Sequence, residues 1–402
     1  MRLRYRAVVI AGLAALGAVT ASGADTIQEF LARHWRQPLA PQGPPPARFS
    51  PLETSLEPEA CGACHPAQLA DWRTSLHSRS MGPGVAGQLV EMLESDPGSA
   101  LSCFTCHAPL AEQAPRVSDG ARARANPVYD AALGGRGLVC AGCHVRARQR
   151  FGPPRRDGSL TATAPLETLP HNGVTRTPAF LRSEFCEGCH QFTPDGFALN
   201  GKLLENTYRE WKASRFARKG VQCQDCHMPD RRHLWRGIHD PDMVRSGLTI
   251  VARASAARYR SGDTISVTLT VESTRVGHAF PTYVTPRVVL SAELVDQAGD
   301  VIAGSREERV IARQVTLDLE REIVDTRLAP GKKAVLQYRR RVDRAGVRAR
   351  LSVVVYPDEF YTRFFESLLA QGAGRGETQI REALAATRRS PFTVFTQELP
   401  LT

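Results

Sequence analysis

All ten cysteines of this 402-residue chain fall in five C-x-x-C-H strings. This pattern is typical of covalent c-type haem attachment, in which both cysteines bind the porphyrin and the adjacent histidine binds iron from the proximal side. Zinc sites and thiol redox pairs do not require a histidine after every second cysteine. We therefore predict five covalent haems and number the strings 1 to 5 in chain order. They are Cys61–Cys64–His65, Cys103–Cys106–His107, Cys140–Cys143–His144, Cys186–Cys189–His190 and Cys223–Cys226–His227.

The N-terminus has the pattern of a secretory signal over residues 1–24. Three arginines precede an uncharged apolar run at 7–20, and small residues at 22–24 offer a cleavage site. The run is shorter than the roughly 20 residues that a spanning helix needs. A retained membrane anchor is the alternative. We expect a periplasmic or exported protein with no transmembrane segment in the mature chain, in agreement with haem attachment outside the cytoplasm.

The formal charge of +11 does not by itself indicate a nucleic-acid partner. Removing the signal removes three arginines and leaves +8. Each ferric haem with two histidine ligands carries about one net negative charge, so five haems bring the protein to about +3. Arginines after string 3 are candidates to bind haem propionates, and a solvated basic face is the alternative. These arginines are Arg146, Arg148, Arg150, Arg155 and Arg156.

The chain divides into an N-terminal segment with a Pro-rich linker (25–56), a haem region (57–245) and a region without cysteine from residue 246. We expect a short helix around 26–36 before the linker. The first cysteines of successive strings lie 42, 37, 46 and 37 residues apart. So little chain per haem cannot build a conventional core around the porphyrins. We expect short helices and irregular loops there, with the haems as the core.

Apolar residues alternate with polar ones in several runs after residue 246, which is typical of antiparallel strands. The runs are 264–271, 288–294, the segment from Pro330 to Tyr338, and 351–356. They predict a β-sandwich over 246–357. The helical spacing of Phe360, Phe364 and Leu368 then predicts one helix within 358–402. The predicted fold class is multidomain α+β, with a mostly α and irregular multihaem cytochrome c domain followed by an antiparallel β-sandwich and a C-terminal helix.

Two helix-compatible segments share a weak internal repeat of the form acid-Trp-base-x-Ser. Asp71-Trp72-Arg73 with Ser75 follows string 1, and Glu210-Trp211-Lys212 with Ser214 precedes string 5. The tryptophan could pack on a porphyrin or belong to an ordinary core, and the sequence leaves both open.

Six histidines remain after the five proximal ones, so each haem iron can receive a second, distal histidine with one histidine spare. His77 follows string 1 by about one helix, and His171 lies in a Pro-His-Asn-Gly turn. His233 and His239 closely follow string 5, and His278 lies between two predicted strands. These five are the predicted distal ligands. The spare is His34, which precedes the linker, and Met81 is the one methionine considered as an alternative ligand.

These residues resemble the cytochrome c-554-type multihaem cytochromes. The resemblance rests on string 1 with Trp72, Ser75 and His77, and on string 5 with Met228-Pro229, His233 and His239-Asp240. It extends to the segment 277–282 with Arg287, which is similar to a sandwich domain found in many of these proteins. The resemblance implies electron transfer in an exported compartment, with His77, His233, His239 and His278 as distal ligands.

The family includes plain electron carriers and enzymes that act on small nitrogen or sulfur compounds, so membership does not settle activity. No string has lysine in place of its histidine, and no cysteine is left to bind an iron. We therefore favour an electron carrier whose partners are cytochromes, quinol-linked donors or a terminal reductase. The alternative is an oxidoreductase with one five-coordinate haem, where His171 or His278 would line the substrate pocket. A docking role for the sandwich is a third hypothesis.

Overall fold

The computed structural model describes residues 26–120, 122–162, 164–256, 259–260, 262–343 and 346–400. The predicted signal at 1–24 lies outside the described residues. The α-helices are α1 (Ile27–His34), α2 (Pro51–Thr54), α3 (Pro58–Gly62), α4 (Pro66–Thr74), α5 (Pro83–Ser95), α6 (Pro97–His107), α7 (Ala131–Gly134), α8 (Cys140–His144), α9 (Glu184–His190), α10 (Thr207–Lys212), α11 (Arg215–Arg218), α12 (Cys223–His227), α13 (Pro241–Gly247), α14 (Glu359–Gln371) and α15 (Glu377–Arg389).

The strands form two larger antiparallel sheets and several small ones. The strands are β1 (Arg116–Asp119), β2 (Arg122–Ala125), β3 (Val145–Arg146), β4 (Gln149–Gly152), β5 (Thr175–Arg176), β6 (Ala198–Leu199), β7 (Lys202–Leu203), β8 (Leu248–Ala254), β9 (Thr264–Ser273), β10 (Arg287–Val295), β11 (Glu307–Val315), β12 (Glu322–Asp325), β13 (Lys333–Arg341), β14 (Arg348–Tyr356) and β15 (Phe392–Pro400). One larger sheet has the order β12-β11-β10-β14-β15 and the other β13-β9-β8. The small sheets are β1-β2, β3-β4-β5 and β6-β7.

The two larger sheets share one apolar core. Alternate residues of β9, among them Ile265, Val267 and Leu269, are buried together with residues of β10 and β14 from the other sheet. Such alternation places one face of each strand on the core and the other toward solvent. β10 is the exception, because eight of its nine residues are buried and it lies in the middle of its sheet.

The C-terminal region contains more structure than the sequence predicted. The predicted runs match β9, β10, β13 and β14, although β13 begins at Lys333 rather than Pro330, and the predicted helix is α14. Within 358–402, however, the structure has a second helix, α15, and a strand, β15, that pairs with β14. The sequence left this tail without a secondary-structure assignment. α15 is polar on its exposed side, and only Ile380, Ala383 and Leu384 are buried on it, so the apolar stripe is narrow.

The haem region consists of short helices joined by long loops, as the sequence predicted. Several of these helices begin at a proline, which fits the first helical position because its missing N–H has no intrahelical partner there. These are α3 at Pro58, α4 at Pro66, α5 at Pro83 and α6 at Pro97. The apolar clusters of this region are small compared with the core of the sheets, as in the group around Trp72 and Leu133.

The haem region and the C-terminal region are in direct contact. Helix α5 packs on α15 so closely that a Cβ added at Gly87 would lie 2.9 Å from the Ile380 side chain. The buried guanidinium of Arg313 donates to backbone oxygens of Leu199 and Leu203 in the β6–β7 hairpin, at 3.1 and 2.7 Å. Within the described residues no helix has the length and apolar character needed to cross a bilayer.

Candidate haem centres

Each C-x-x-C-H string lies in or at the end of a short helix. Strings 2, 3, 4 and 5 lie wholly within α6, α8, α9 and α12, and string 1 runs from α3 to His65, the N-cap residue of α4. Residues three and four apart share one face of a helix. The two thiols and the imidazole of a string therefore project to the same side, which is the arrangement that haem attachment requires. None of the ten cysteines is in a disulfide.

Thiols from different strings lie side by side. A hydrogen bond with Cys140 lowers the pKa of Cys61, and the same contact raises that of Cys140. Two further pairs behave in the same way, Cys106 with Cys189 and Cys223 with Cys186. String 1 thus lies beside string 3, and string 4 lies beside both string 2 and string 5. The attachment points of neighbouring strings are close in space although far apart in sequence.

Three proximal histidines each face one of the predicted distal histidines at nearly the same distance. The ring centroids are 6.3 Å apart for His77 and His190. They are 6.2 Å apart both for His144 with His233 and for His227 with His278. The interplanar angles are 48°, 36° and 17°, in that order. We call these pairs the facing pairs of strings 4, 3 and 5.

This separation fits an iron atom between the two rings. A metal–nitrogen bond to histidine is about 2 Å long, and the ring centroid lies about 1.1 Å beyond the nitrogen, so two ligands on opposite sides of one iron have centroids roughly 6 Å apart. The three facing pairs therefore have the spacing that a haem iron with two histidine ligands needs.

Hydrogen bonds at Nδ1 orient several of these imidazoles. Because a carbonyl oxygen only accepts, each Nδ1 here carries the proton, and the lone pair is left on Nε2 for a metal. The pairs are His107 with Ser80 O at 2.6 Å, His144 with Phe151 O at 2.8 Å, His227 with Arg236 O at 2.6 Å, His233 with Arg231 O at 3.2 Å, and His278 with Ala279 O at 2.8 Å.

Burial favours the neutral form of His77, His144 and His227. Desolvation, with smaller contributions from His190 and His227, lowers the pKa of His77 to about 3. Burial likewise lowers the pKa values of His144 and His227 to about 4. A histidine must be neutral to bind a metal. The chain's own environment thus favours the ligating form of these side chains at neutral pH.

His171 lies near string 1. It occupies a tight turn with a φ of 61°, and its backbone N–H donates to Glu53 Oε1 at 2.7 Å. Burial lowers the pKa of His171, and Arg150 and His65 lower it further. The influence of His65 puts His171 within electrostatic range of the proximal histidine of string 1.

His239 and His34 make hydrogen bonds through Nε2. His239 Nε2 donates to Asp358 Oδ1 at 2.9 Å, and its Nδ1 is buried without a hydrogen-bond partner. His34 Nε2 donates to Cys143 O at 2.8 Å. His34 is buried among aromatic rings, and burial lowers its pKa to about 3. Within the described part of the chain, neither ring has a proximal histidine as its partner in a facing pair. Met81 is buried in an apolar cluster with Leu89 and Phe104.

The structure adds aromatic contacts that the sequence did not indicate. The ring of Trp235 meets both His77 and His233 edge-on, with centroids 4.8 and 5.1 Å away. Phe180 stacks on His144 at 5.0 Å with an interplanar angle of 11°. Trp235 lies within the 233–239 segment that the sequence singled out for its histidines, so its position was available as a signal.

Most guanidinium groups of the predicted arginine cluster bind protein oxygens. Arg148 and Arg150 donate to the backbone oxygens of Thr54 and Glu53 at 2.5 and 2.7 Å. Arg156 instead pairs with Asp230 at 2.7 Å. Arg146 Nη2 and Arg155 Nε are buried without a hydrogen-bond partner. Buried donors of this kind suit an anionic partner such as a propionate.

Comparison with known proteins supports the interpretation of the C-x-x-C-H strings as sites of c-type haem attachment. Residues 60–128 match the profile of the family "Cytochrome c554 and c-prime". The fold is similar to that of a penta-heme cytochrome c552 from Thermochromatium tepidum, with a TM-score of 0.60 and 19% identity over 88% of this chain and 100% of that one. A search of the curated proteins returned no match.

Other solved structures share far less. The CARDB domain of the PF1109 protein from Pyrococcus furiosus matches at 12% identity, with a TM-score of 0.18, over 27% of this chain and 67% of that one. The putative ApaA protein from Bordetella pertussis matches at 12% identity, with a TM-score of 0.18, over 38% of this chain and 91% of that one. Neither likeness bears on function.

The C-x-x-C-H strings, the family match and the shared fold define the class of this protein. It is a multihaem c-type cytochrome. Membership of that class indicates electron transfer and redox proteins as partners.

Proposed function

We propose that this chain is an exported pentahaem cytochrome that carries electrons between redox partners through low-spin haems with two histidine ligands each. The three facing pairs carry the proposal, because each joins a motif histidine to a separate histidine at the spacing one iron requires. When bound, c-type haems supply reversible one-electron chemistry, and two protein ligands leave no iron position open for substrate.

Two strings complete the proposed ligand set. For string 1 we assign His171 as the distal ligand, because the three facing pairs already use His77, His233 and His278. For string 2 it is His239, whose buried Nδ1 is free to bind a metal while Nε2 donates to Asp358. His34 is the spare histidine, because its Nε2 donates to Cys143 O.

The proposal includes the division of the chain predicted from its sequence. The haem region is 57–245, and the two larger sheets form a β-sandwich over 246–357, to which β15 adds an edge strand. The shared core of the sheets supports this assignment. Export is supported by the chemistry of c-type haem, which is attached outside the cytoplasm, and by the signal-like N-terminus.

The test combines haem counting with spin-state spectroscopy on the purified holoprotein. Intact mass and a pyridine haemochrome assay should give five haems per chain, and the ferric EPR spectrum should contain only low-spin signals. A high-spin signal equal to one haem would contradict ligation of all five irons by two histidines. Fewer than five haems would contradict the assignment of all five strings.

A specific observation favours a second candidate function at string 2, namely reduction or oxidation of a small nitrogen or sulfur compound. His107 belongs to no facing pair in the described residues, and His239 is bonded to Asp358. Burial raises the pKa of Tyr361. Asp358 and Cys103 contribute to this shift in the same direction, which places the phenol near string 2.

Ligand binding separates the two functions. An electron carrier should bind cyanide and carbon monoxide only slowly, because either ligand must first displace a histidine, and it should not turn over nitrite, hydroxylamine, sulfite or tetrathionate. Rapid binding of one cyanide per chain that is lost when Cys103 and Cys106 are both replaced by alanine, together with turnover of one of these compounds, would establish the second function. Rapid binding without turnover would show an open iron and leave electron transfer as the activity.

A further inference from the structure

The two copies of the acid-Trp-base-x-Ser repeat make matching contacts in the structure. Its first copy ends helix α4, and its second lies on helix α10. The acid and tryptophan of each copy are adjacent, and both tryptophans are buried. Adjacent helical residues project about 100° apart, so one dipeptide can reach two different segments of the chain.

In the first copy, the acid binds the segment that carries a distal histidine. Asp71 is buried, and its carboxylate accepts two hydrogen bonds from the guanidinium of Arg232, at 2.7 and 2.5 Å. Asp71 Oδ2 also accepts the backbone N–H of His233 at 3.0 Å. The carboxylate thus fixes the backbone of the distal histidine of string 3.

The acid of the second copy makes the equivalent contacts around string 5. Glu210 Oε2 accepts the backbone N–H of Ala279 at 3.1 Å and the hydroxyl of Thr282 at 2.9 Å. Glu210 Oε1 accepts from the guanidinium of Arg327 at 3.1 Å. Ala279 directly follows His278, so this carboxylate fixes the loop that carries the distal histidine of string 5.

Each tryptophan donates a hydrogen bond to the segment just before the string whose proximal histidine belongs to the same facing pair. Trp72 Nε1 donates to Leu138 O at 2.8 Å, two residues before the first cysteine of string 3. Trp211 Nε1 donates to Val221 O at 2.9 Å, two residues before the first cysteine of string 5. The two copies therefore contact their strings at the same offset, although the chain separations are 66 and 10 residues.

Close packing supports the second set of contacts. A Cβ added at Gly277 would lie 3.2 Å from Trp211 Cδ1. Only a residue without a side chain lets the loop of His278 approach the indole this closely without displacing it. The same tryptophan thus contacts the distal loop and donates to the proximal segment.

We propose that Asp71–Trp72 and Glu210–Trp211 are clamps, each of which fixes the distance between the two histidine ligands of its own haem. The Asp71–Trp72 clamp joins His233 to string 3, and the Glu210–Trp211 clamp joins His278 to string 5. These are positioning residues, and the proposal rests on the facing pairs of the proposed function. With its backbone fixed, a distal histidine that leaves the iron stays close and rebinds before an external ligand enters.

The test measures cyanide binding to ferric holoprotein, with EPR counting the haems that change. Asp71→Ala and Glu210→Ala should each raise the rate of cyanide binding at one haem by about 10- to 100-fold, the usual effect of losing an outer-shell partner of a metal ligand. Asp71→Asn keeps the shape and one acceptor oxygen, and should give a smaller increase. Unchanged cyanide binding in both alanine variants would overturn the proposal.

The test of the two tryptophans uses a matched control variant. Trp72→Phe and Trp211→Phe remove the indole N–H and should raise the rate of cyanide binding severalfold. Trp35→Phe makes the same chemical change at a half-buried indole whose buried Nε1 has no hydrogen-bond partner, and should leave the rate unchanged. Equal effects at all three positions would mean that loss of ring volume matters rather than the hydrogen bond. Glu293→Ala is the control for loss of a buried acid with arginine partners outside the haem region.

Double variants assign each clamp to its haem. His233→Ala should open one haem, and adding Asp71→Ala should open no second one. His278→Ala with Glu210→Ala should behave in the same way. A second opened haem in either double variant would contradict the clamp, whereas no opened haem in His233→Ala or His278→Ala alone would contradict the ligand assignment itself. The two proposals therefore fail in different measurements.

Discussion

The haem region and the C-terminal sheets are stabilised by different means. The sheets bury one continuous apolar core that includes Ile265, Leu290 and Leu351. The haem region has only small apolar clusters, and buried polar side chains fix its loops through their backbone oxygens. Gln113, which is fully buried, donates to Leu133 O and Gly137 O, and Asn126 donates to Ala111 O and Ala114 O.

This difference shows what each region depends on. Burial of apolar surface stabilises the sheets without any cofactor. Hydrogen bonds to loop oxygens specify where the loops lie, but each contributes little net stability. The haem region should therefore depend on its haems for most of its stability, whereas the sheets should not. The first prediction below tests this directly.

The largest expected effect is that of withholding haem. Chain produced without the c-type haem attachment machinery should lose protection from hydrogen exchange across 57–245, while the core strands β9, β10 and β14 stay protected. The reason is that the haem region has too little apolar contact to fold alone. Equal protection of both regions without haem would contradict the comparison.

The buried arginine that joins the two regions should give the next largest effect. Arg313 is 1% exposed and pairs with Glu322 at 2.8 Å while donating to the β6–β7 hairpin. Arg313→Ala leaves a buried carboxylate with one partner fewer, and should lower the free energy of unfolding by about 3–5 kcal/mol. Denaturant titration measures this, and Arg309→Ala, at a largely exposed site on the same strand, should cost far less.

A cavity in the apolar core should act on the sheets alone. Leu351 is fully buried in β14, and Leu351→Ala should lower the free energy of unfolding of this region by about 2–5 kcal/mol. The ferric EPR spectrum should stay unchanged because no haem ligand contacts this position. A new high-spin signal would show that the sheet core and the haem sites are coupled more tightly than we propose.

The sequence predicted the two regions with different success, and for physical reasons. Strands β9 and β13 have one buried face, so their alternation was visible. Strand β11 begins with Glu307-Glu308-Arg309, and in β15 the adjacent apolar residues Val394 and Phe395 interrupt the alternation, so neither showed a strand pattern. Both lie in the sheet because neighbouring strands supply their pairing partners.

The sequence identified the C-x-x-C-H strings, but it could not show which distal histidine faces which string. The strings are local, so their chemistry is readable from adjacent residues. Which histidine faces which string depends on chain closure over long separations, as between Asp71 and His233, which lie 162 residues apart in sequence. The repeat at Asp71 and Glu210 was visible, but its contacts required the fold.

Acid should produce the smallest effect, at the contact between the two regions. Burial alone would raise the pKa of Asp325, but hydrogen bonds from Arg327 and Lys202 lower it below its usual value. A depressed pKa stabilises the fold above the value of the unfolded chain, about 4, and this stabilisation is lost as pH falls below it. Proteolysis at the β6–β7 hairpin should therefore increase below about pH 4.

Asp325→Asn is the control for this prediction. It removes the titrating group, so proteolysis at the hairpin should be faster at neutral pH and should depend less on pH between about 4 and 2. An unchanged pH dependence in this variant would assign the effect to other carboxylates.

The central claim is that a histidine from the C-terminal region completes a haem site in the haem region. Ferric EPR of His278→Ala holoprotein tests it most directly, with His34→Ala as the matched variant. The account predicts that both proteins keep five covalent haems, that His278→Ala converts one haem from low-spin to high-spin, and that His34→Ala leaves all of them low-spin. An unchanged spectrum in His278→Ala, with the high-spin signal in His34→Ala instead, would contradict it.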